Sequence, residues 1–517
     1  MTTMSYINMF LGLVMAAGFL IRHWQRSRAL MAPPLGTNWP VVGMLPTLLR
    51  HAADFHDFLT AVLRRQGGTV ESKGPWLTDM DSIITSDPAN VRHILSGNFG
   101  NYPKGPVMKD IFEPFGDGIF AVDFEPWVLQ RKKLQLLMKN NRYKSLLEKA
   151  IHAKLESGIF PVLNHSAENN LKLDLQDVFQ RFTFDIICIT VLGFDPCSLN
   201  IGFQDVSLAE AFDDIEKAMF RRHVVPTTAW KLQNRLGIGA EKRLTIATNR
   251  FDHFLYDFIS KRRNQLSNDQ SRLHHAKRTE APEFVDLLTA HIVEESQNDT
   301  ALLIEDKFLR DMTLNLLGAG RSTIASTLVW FFWSLANNPN VENKILAELK
   351  SNPPASPQAH LYSEEEVNRL MYLHAAVLET LRLYPPSPIN HKWAKEADTL
   401  PSGHRVRANT RVFFSVYSMA RMEGTWGKDC EEFRPERWIT EKGGIRLVPS
   451  HQFVTFNGGP RSCLGKEVSL IQLKMVAAAV LGRYKIQVVE GHSASFAVST
   501  VLHMEHGLPV MISRRSA

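Results

Sequence analysis

Phe453-Val454-Thr455-Phe456-Asn457-Gly458-Gly459-Pro460-Arg461-Ser462-Cys463-Leu464-Gly465-Lys466-Glu467 is the stretch that decides how this 517-residue chain is read. It sets one cysteine in a glycine-rich loop, two residues after an arginine and just before an apolar, helix-like run from Val468 to Val480. Gly458 and Gly459 suit positive φ and the close approach of another body to the backbone, and Pro460 stiffens the turn. The N–H groups that open the helix, its positive end and the nearby guanidinium all favour thiolate over thiol at Cys463. A thiolate held this way is a ligand for a soft or borderline metal such as haem iron. A lone cysteine usually means an ordinary buried side chain, but the spacing F-x-x-G-x-R-x-C-x-G is far more specific.

Composition narrows the setting. Apolar residues make up 44% of the chain, ample for a large core. No Gly/Ser-rich, Pro-rich or long charged linker divides it, which points to one large domain with an N-terminal appendage. Cys188, Cys197, Cys430 and Cys463 form no C-x-x-C pair and no disulfide framework, so the body belongs in a reducing compartment. A formal charge of +6 gives no reason to expect nucleic acid, and it fits a membrane surface or an acidic protein partner.

Met4 to Ile21 carries no charge and as a helix spans about 27 Å, close to a thin bilayer. Arg22, His23, Arg26 and Arg28 follow it, while no Lys or Arg precedes it. The positive-inside rule then puts the rest of the chain in the cytosol, and a cleaved signal peptide would carry its charge on the other side. The expected organisation is a transmembrane signal anchor over 1–21, a basic and proline-rich hinge over 22–46, and a catalytic body over 47–517.

Within the body, helical patterns cover Ala52 to Gln66, Pro88 to Leu95, Leu171 to Leu192, Ala209 to Phe220 and Lys242 to Arg263. Strand patterns fall within Thr69 to Ser86 and over Val412 to Val416, Lys485 to Val489 and Leu508 to Ile512. The fold class is therefore mainly α with a minor β component. Tyr102 to Phe124 reads as a long loop, the stretch around Val224-Val225-Pro226 as irregular, and Ser267 to Thr279 as a polar surface loop. Lys307 to Asn337 reads as one helix of about 46 Å. Gly318-Ala319-Gly320-Arg321-Ser322-Thr323 lies at its middle, where two glycines cost about 1 kcal/mol each relative to alanine and suit a kink or a close approach. Trp127 and Arg131 stand four apart on one helix face, both able to donate to a carboxylate. Glu379 and Arg382 stand three apart on an apolar helix.

Taken together these motifs resemble those of the cytochromes P450, the haem-thiolate monooxygenases. Phe456, Gly459, Arg461, Cys463 and Gly465 match the family's cysteine-loop signature. Ala319, Gly320 and Thr323 match its oxygen-activation motif A-G-x-[DE]-T, with Ser322 where the acid is expected. Trp127/Arg131, Glu379/Arg382 and Pro435-Glu436-Arg437-Trp438 match its W-x-x-x-R, E-x-x-R and P-E-R-[FW] elements. The resemblance implies the cytochrome P450 fold and haem b, with Cys463 as axial ligand and Trp127, Arg131 and Arg461 on the haem propionates. It also implies a buried Glu379–Arg382–Arg437 network behind the loop, and catalytic roles for Thr323 and Ser322. Phe112, Phe115, Ile119 and Phe120 become candidate pocket-lining groups, and the stretch around Val224 a substrate-access lid. Electrons would come from NADPH through the flavins of NADPH–cytochrome P450 reductase, docked on the basic surface of Lys132, Lys133, Lys139, Arg142 and Lys144. The implied location is the endoplasmic reticulum membrane, single-pass, with the catalytic body cytosolic.

Asn38 to Pro46, Asn101 to Pro106 and Trp330-Phe331-Phe332-Trp333 resemble one plant branch of the family. That branch holds fatty-acid ω-hydroxylases, mid-chain alkane hydroxylases and oxidases that join two phenol rings in Amaryllidaceae alkaloid synthesis. A serine at 322 does not ionise near neutral pH, so proton delivery is weakened, and a phenolic substrate could help supply protons itself. The resemblance therefore implies a small hydrophobic or phenolic substrate. The first expectation is para-para′ coupling of 4′-O-methylnorbelladine to noroxomaritidine, the alternative hydroxylation of fatty acids or alkanes. Reductase-independent peroxide rearrangement is disfavoured by Thr323 and the uninterrupted Phe456 to Gly465 spacing.

Overall fold

The computed structural model describes residues 38–76, 78, 80–203, 207–273, 286–297, 305–355 and 361–515. The helices that shape the site are, in chain order, α1 (Phe55–Arg65), α2 (Gly105–Ile111), α3 (Phe124–Met138), α4 (Leu175–Leu192), α5 (Ser207–Val224), α6 (Gly239–Leu273), α7 (Asp306–Gly320), α8 (Ser322–Asn337), α9 (Met371–Leu383) and α10 (Lys466–Arg483). The strands are β1 (Thr69–Ser72), β2 (Ser82–Thr85), β3 (Leu173–Asp174), β4 (Ile389–Trp393), β5 (Arg411–Ser415), β6 (Tyr484–Val488) and β7 (Pro509–Arg514). One sheet has the order β1-β2-β5-β4, with β2 and β5 parallel and the outer pairs antiparallel; a second has the antiparallel order β3-β7-β6, and Asp398–Thr399 and Arg405–Val406 form a third, two-stranded one. The mainly helical body with minor sheets follows the expected fold class.

Packing explains the layout. α8 is apolar almost all round, and Ile324, Ala325, Leu328, Val329, Trp330, Phe331, Phe332 and Leu335 are all buried, as a helix in the middle of a core requires. α10 is buried from Leu470 to Leu481 and meets α8 and α9 in the same core. Each large apolar side chain so covered contributes about 1.5–3 kcal/mol. The C-terminal segment is clipped onto α8: the Leu502 carbonyl accepts from Ser326 Oγ and Trp330 Nε1, both at 2.7 Å.

Several expectations are corrected. The long central helix is two, because Arg321 takes ψ −75° and separates α7 from α8. The presumed loop from Tyr102 to Phe124 contains α2, opened by Gly105 at φ 78° with Pro106 in the first turn, a position where a missing N–H costs nothing. The stretch at Val224 is flanked at once by α5 and a helix at Thr227–Leu236. α6 runs to Leu273 and takes in the first part of the presumed polar loop. The expected anchor, and the hinge up to residue 37, lie outside the described residues. Among the described residues no helix is long and apolar enough to cross a membrane.

Glu379 is fully buried, and its charge is matched from four directions. Arg382 donates Nε to Oε2 at 2.8 Å and Nη2 to Oε1 at 2.9 Å. Arg437 Nε, the Arg434 backbone N–H and Trp438 Nε1 complete the set at 3.2, 3.0 and 2.8 Å. Arg382 spends its other donors on the Ala420, Cys430 and Glu432 carbonyls. Removing one partner from such a buried group strands a charge. Arg382→Met is therefore expected to cost about 3–5 kcal/mol, read as a large fall in denaturation midpoint. Arg434→Ala removes only an exposed pair with Asp429 and should stay within about 1 kcal/mol; equal effects would show that burial is not what makes the network matter.

Candidate functional site

The cysteine loop is a tight fold of backbone against backbone. The Cys463 N–H donates to the Phe456 carbonyl at 2.8 Å, and Thr455 Oγ1 donates to the Leu381 carbonyl of α9 at 2.8 Å. Gly459 has φ 60°, and a Cβ there would fall 1.9 Å from the Leu95 carbonyl oxygen, so the close approach expected of a glycine is present. Gly458 is ordinary extended backbone at φ −150°; the second positive-φ residue of the loop is Asn457 at φ 58°. The loop delivers Cys463 to the start of α10.

Cys463 is open to solvent on one side yet walled in by the loop. Burial pushes its thiol above the ordinary range, against the pull of the Gly465 and Lys466 N–H groups and of the Arg131 and Lys466 charges. The loop N–H groups and the nearby positive charges favour the thiolate, as expected, and desolvation opposes them. A coordinated metal ion would remove the proton outright.

Beside the loop the fold collects cations. Arg461 Nη2 donates to Asp123 Oδ1 at 2.6 Å and to the Val122 carbonyl at 2.7 Å, and its Cζ lies 4.5 Å from the Trp127 ring centre. Arg131, one turn along α3 from Trp127, donates Nη2 to Ser462 Oγ at 3.2 Å. Lys392 of β4 lies 5.8 Å from the Phe99 ring, which in turn packs on Trp127 at 5.9 Å. Lys104 belongs to the same field, lowered to about 8 by burial and by Arg461. Trp127, Arg131 and Arg461 are thus brought together as the sequence implied. Lys104 and Lys392 were missed, since neither sits in a motif; the only signal was a basic residue next to Gly105 and another in a β-strand pattern.

Against Lys104, Arg131, Lys392 and Arg461 stands one carboxylate of the cluster, Asp123. Lys392 Nζ and Arg461 Nε are buried without a hydrogen-bond partner, a costly state unless an anion completes it. The cluster therefore fits a group bearing carboxylates beside a metal held by Cys463, as haem does.

On the other side, the aromatic rings of Phe112, Phe115 and Phe120 pack mutually at 5.9–6.3 Å, and Phe115 packs on Phe212 of α5 at 6.3 Å. Ile119 packs against the same cluster. Asn315 of α7 accepts from the Phe120 N–H at 3.1 Å and donates to the Phe115 carbonyl at 2.9 Å, which pins this loop to the helix. Gly318 presses on Phe115 and Gly320 on Ile187, at distances where a Cβ would collide. At the break, Thr323 Oγ1 donates to the Ala319 carbonyl at 2.7 Å. Ser322 is buried, and its hydroxyl acts on the carboxyl of Glu216 from α5, opposing the rise that burial imposes there, a neighbour no local pattern could reveal. Of the basic run, Lys132, Lys139 and Arg142 are exposed, whereas Lys144 is paired with Glu467 and with Glu364 at 3.5 Å.

A family model for cytochrome P450 matches residues 33–505. The chain is 41% identical over 483 residues to the alkane hydroxylase MAH1 of Arabidopsis thaliana, covering 93% of this chain and 94% of that one. It is 40% identical over 485 residues to a noroxomaritidine synthase of Narcissus aff. pseudonarcissus MK-2014, covering 93% and 91%. To Cytochrome P450 86B1 of Arabidopsis thaliana it is 37% identical over 511 residues, covering 96% and 88%.

The cation cluster makes a prediction about pH. Lys104 is depressed to about 8 in the folded chain, so its contribution to stability is present above the ordinary lysine value and lost as pH falls through about 8. Lys104→Met should stabilise the haem-free chain at neutral pH by up to about 3 kcal/mol. The gain should shrink between about pH 8 and pH 10.5, as measured by denaturant unfolding. A pH-independent difference would count against a strained Lys104.

Proposed function

This chain belongs to the cytochrome P450 family of haem-thiolate monooxygenases, which take electrons from NADPH through a reductase, and we propose on that premise that Cys463 is its axial iron ligand. The observation that carries this reading is the placing of Cys463, at the start of α10, beside a cation cluster in which Lys392 Nζ and Arg461 Nε are buried without a hydrogen-bond partner. Lys104, Trp127, Arg131, Lys392 and Arg461 would hold the haem propionates. When bound, the haem supplies an iron centre at which dioxygen is reduced, its thiolate ligand favouring O–O cleavage. The chain's own residues do the rest: Thr323 holds a proton at its Oγ1 beside the helix break, and Ser322 can pass one on. The Glu379–Arg382–Arg437 network keeps the loop in place through the Thr455 bond to α9. Residues 1–21 would anchor the chain in the endoplasmic reticulum with the 47–517 body in the cytosol. Lys132, Lys139 and Arg142 would meet an acidic reductase.

For the substrate, we favour hydroxylation of a long alkyl chain, of an alkane or fatty acid. The aromatic cluster of Phe112, Phe115, Phe120 and Phe212 supports an apolar occupant, and the Glu216 carboxyl at Ser322 removes the shortage of acid that argued against attack on inert C–H bonds. The second reading is intramolecular para-para′ coupling of 4′-O-methylnorbelladine to noroxomaritidine, favoured by the likeness to a noroxomaritidine synthase.

Microsomes holding this chain and a reductase, fed separately with an alkane, a fatty acid and 4′-O-methylnorbelladine, test both readings. A hydroxylated chain is expected; a coupled diphenol alone would install the second reading, and product from peroxide without reductase would remove both. Cys463→Ala should lose the thiolate signature of the reduced carbon-monoxide spectrum together with all turnover. An unchanged spectrum would sink the ligand assignment.

A further inference from the structure

One helix, α5, brings two acid groups to the break between α7 and α8. Arg321 pairs with Asp213 of α5 at 2.5 Å and lies 5.2 Å from the Phe212 ring and 5.7 Å from that of Phe184. Asp213 and Glu216 stand three apart on α5 and so share a face. The ion pair at Arg321 thereby places Glu216, one turn further along α5, toward its neighbour Ser322, whose hydroxyl acts on the Glu216 carboxyl and which is only 2% exposed. Ser322 adjoins Thr323, whose hydroxyl spans the break to Ala319 at 2.7 Å. A carboxyl, a buried hydroxyl and the threonine thus gather at one break, although the carboxyl comes from a helix about a hundred residues earlier.

We propose that Glu216 is the proton-holding carboxyl of this site, delivering through the Ser322 hydroxyl the protons that an acid at position 322 would otherwise supply. The proposal rests on the monooxygenase reading above. In that reaction one dioxygen, one substrate C–H bond, two electrons from NADPH through the reductase and two protons give one C–OH group and one water. For each proton, the Glu216 carboxyl gives its proton to Ser322 Oγ as the serine's own proton leaves into the helix break that Thr323 spans. Glu216, which is only half-buried, then takes a replacement from solvent. Glu216 acts through Ser322 and does not itself meet the reacting atoms.

The surroundings suit this work. Burial, chiefly, and the charge of Asp213 raise the Glu216 carboxyl to about 7, while Arg321, the Ser322 hydroxyl and Lys217 oppose the rise. The facing groups are Asp213 and Lys217 on α5, Arg321 at the break, and His503 of the C-terminal segment, which burial holds neutral with a value of about 4. An acid whose value lies near the working pH is both protonated often enough and willing enough to donate.

The test uses the full chain with haem and reductase, as wild type, Glu216→Gln, Ser322→Ala and the double variant Glu216→Gln with Ser322→Asp. The carbon-monoxide spectrum reports whether each carries its haem on a thiolate; its absence from the wild type would overturn the family-based reading and not this one alone. Glu216→Gln and Ser322→Ala should each lower product formed per NADPH consumed by at least about tenfold, with the electrons appearing as peroxide. The double variant should recover most of that loss. The wild-type product rate should fall above about pH 7, whereas that of Glu216→Gln should be flat. Independently of turnover, infrared difference spectra of the resting wild-type enzyme between about pH 6 and pH 8 should show a protonated-carboxyl band that Glu216→Gln lacks. Wild-type coupling in Glu216→Gln, no recovery in the double variant, or no such band in the wild type would each overturn the proposal. If Glu216→Gln proves not to fold, the wild-type band and the Ser322→Ala profile decide.

Discussion

A carboxylate that sees no water must be satisfied by protein alone, and Glu379 is that carboxylate. Its two oxygens take five hydrogen bonds from Arg382, Arg437, Arg434 and Trp438. Because Arg382 also gathers three carbonyls between Ala420 and Glu432, one buried charge pair fixes an irregular segment that has little regular secondary structure to hold it. The same helix offers the Leu381 carbonyl to Thr455, so the cysteine loop inherits its position from this network. Charge burial is an expensive way to build a scaffold. Here it substitutes for the sheet or helix packing that the loop region lacks.

The opposite electrostatic choice is made beside Trp127. There the fold leaves positive charge in excess, with Asp123 alone against four cations, and burial depresses Lys104 and Lys392. Instability concentrated at one place is a usual mark of a binding site, because a ligand of the right charge relieves it. The cysteine behaves alike: its thiol is raised, not lowered, by its surroundings. Both features make the site complete only with an anionic, metal-bearing group in place.

Much of this was legible in the chain. The cysteine loop, the E-x-x-R helix, the Trp127/Arg131 face and the minor strands all follow from spacing that the backbone must obey. What escaped has physical reasons. Gly318 and Gly320 marked a weak point, but only the Arg321 backbone turned it into a break. Asn457, not Gly458, takes the positive φ, at ψ −168° a conformation costly for any residue but glycine, and its side chain is tied locally to the Arg461 carbonyl. Gly105-Pro106 carried a helix-start signal that a count of Gly, Pro and Phe hid. Lys104, Lys392 and Glu216 enter from elements distant in sequence, and the bond from Trp438 to Glu379 crosses 59 residues, where no periodicity can announce a contact.

The Leu502 carbonyl that caps Ser326 and Trp330 lies 176 and 172 residues beyond them, and Arg461 meets Asp123 across 338. Synthesis proceeds from the N-terminus at about 5–20 residues per second, so α8 and the α3 face wait tens of seconds for partners not yet made. Contacts this remote cannot be exchanged for local ones. The clip on Ser326 and Trp330 is therefore the last part of this core to close, although α4, made earlier, already covers α8 through contacts such as Phe179 on Phe332 at 5.5 Å.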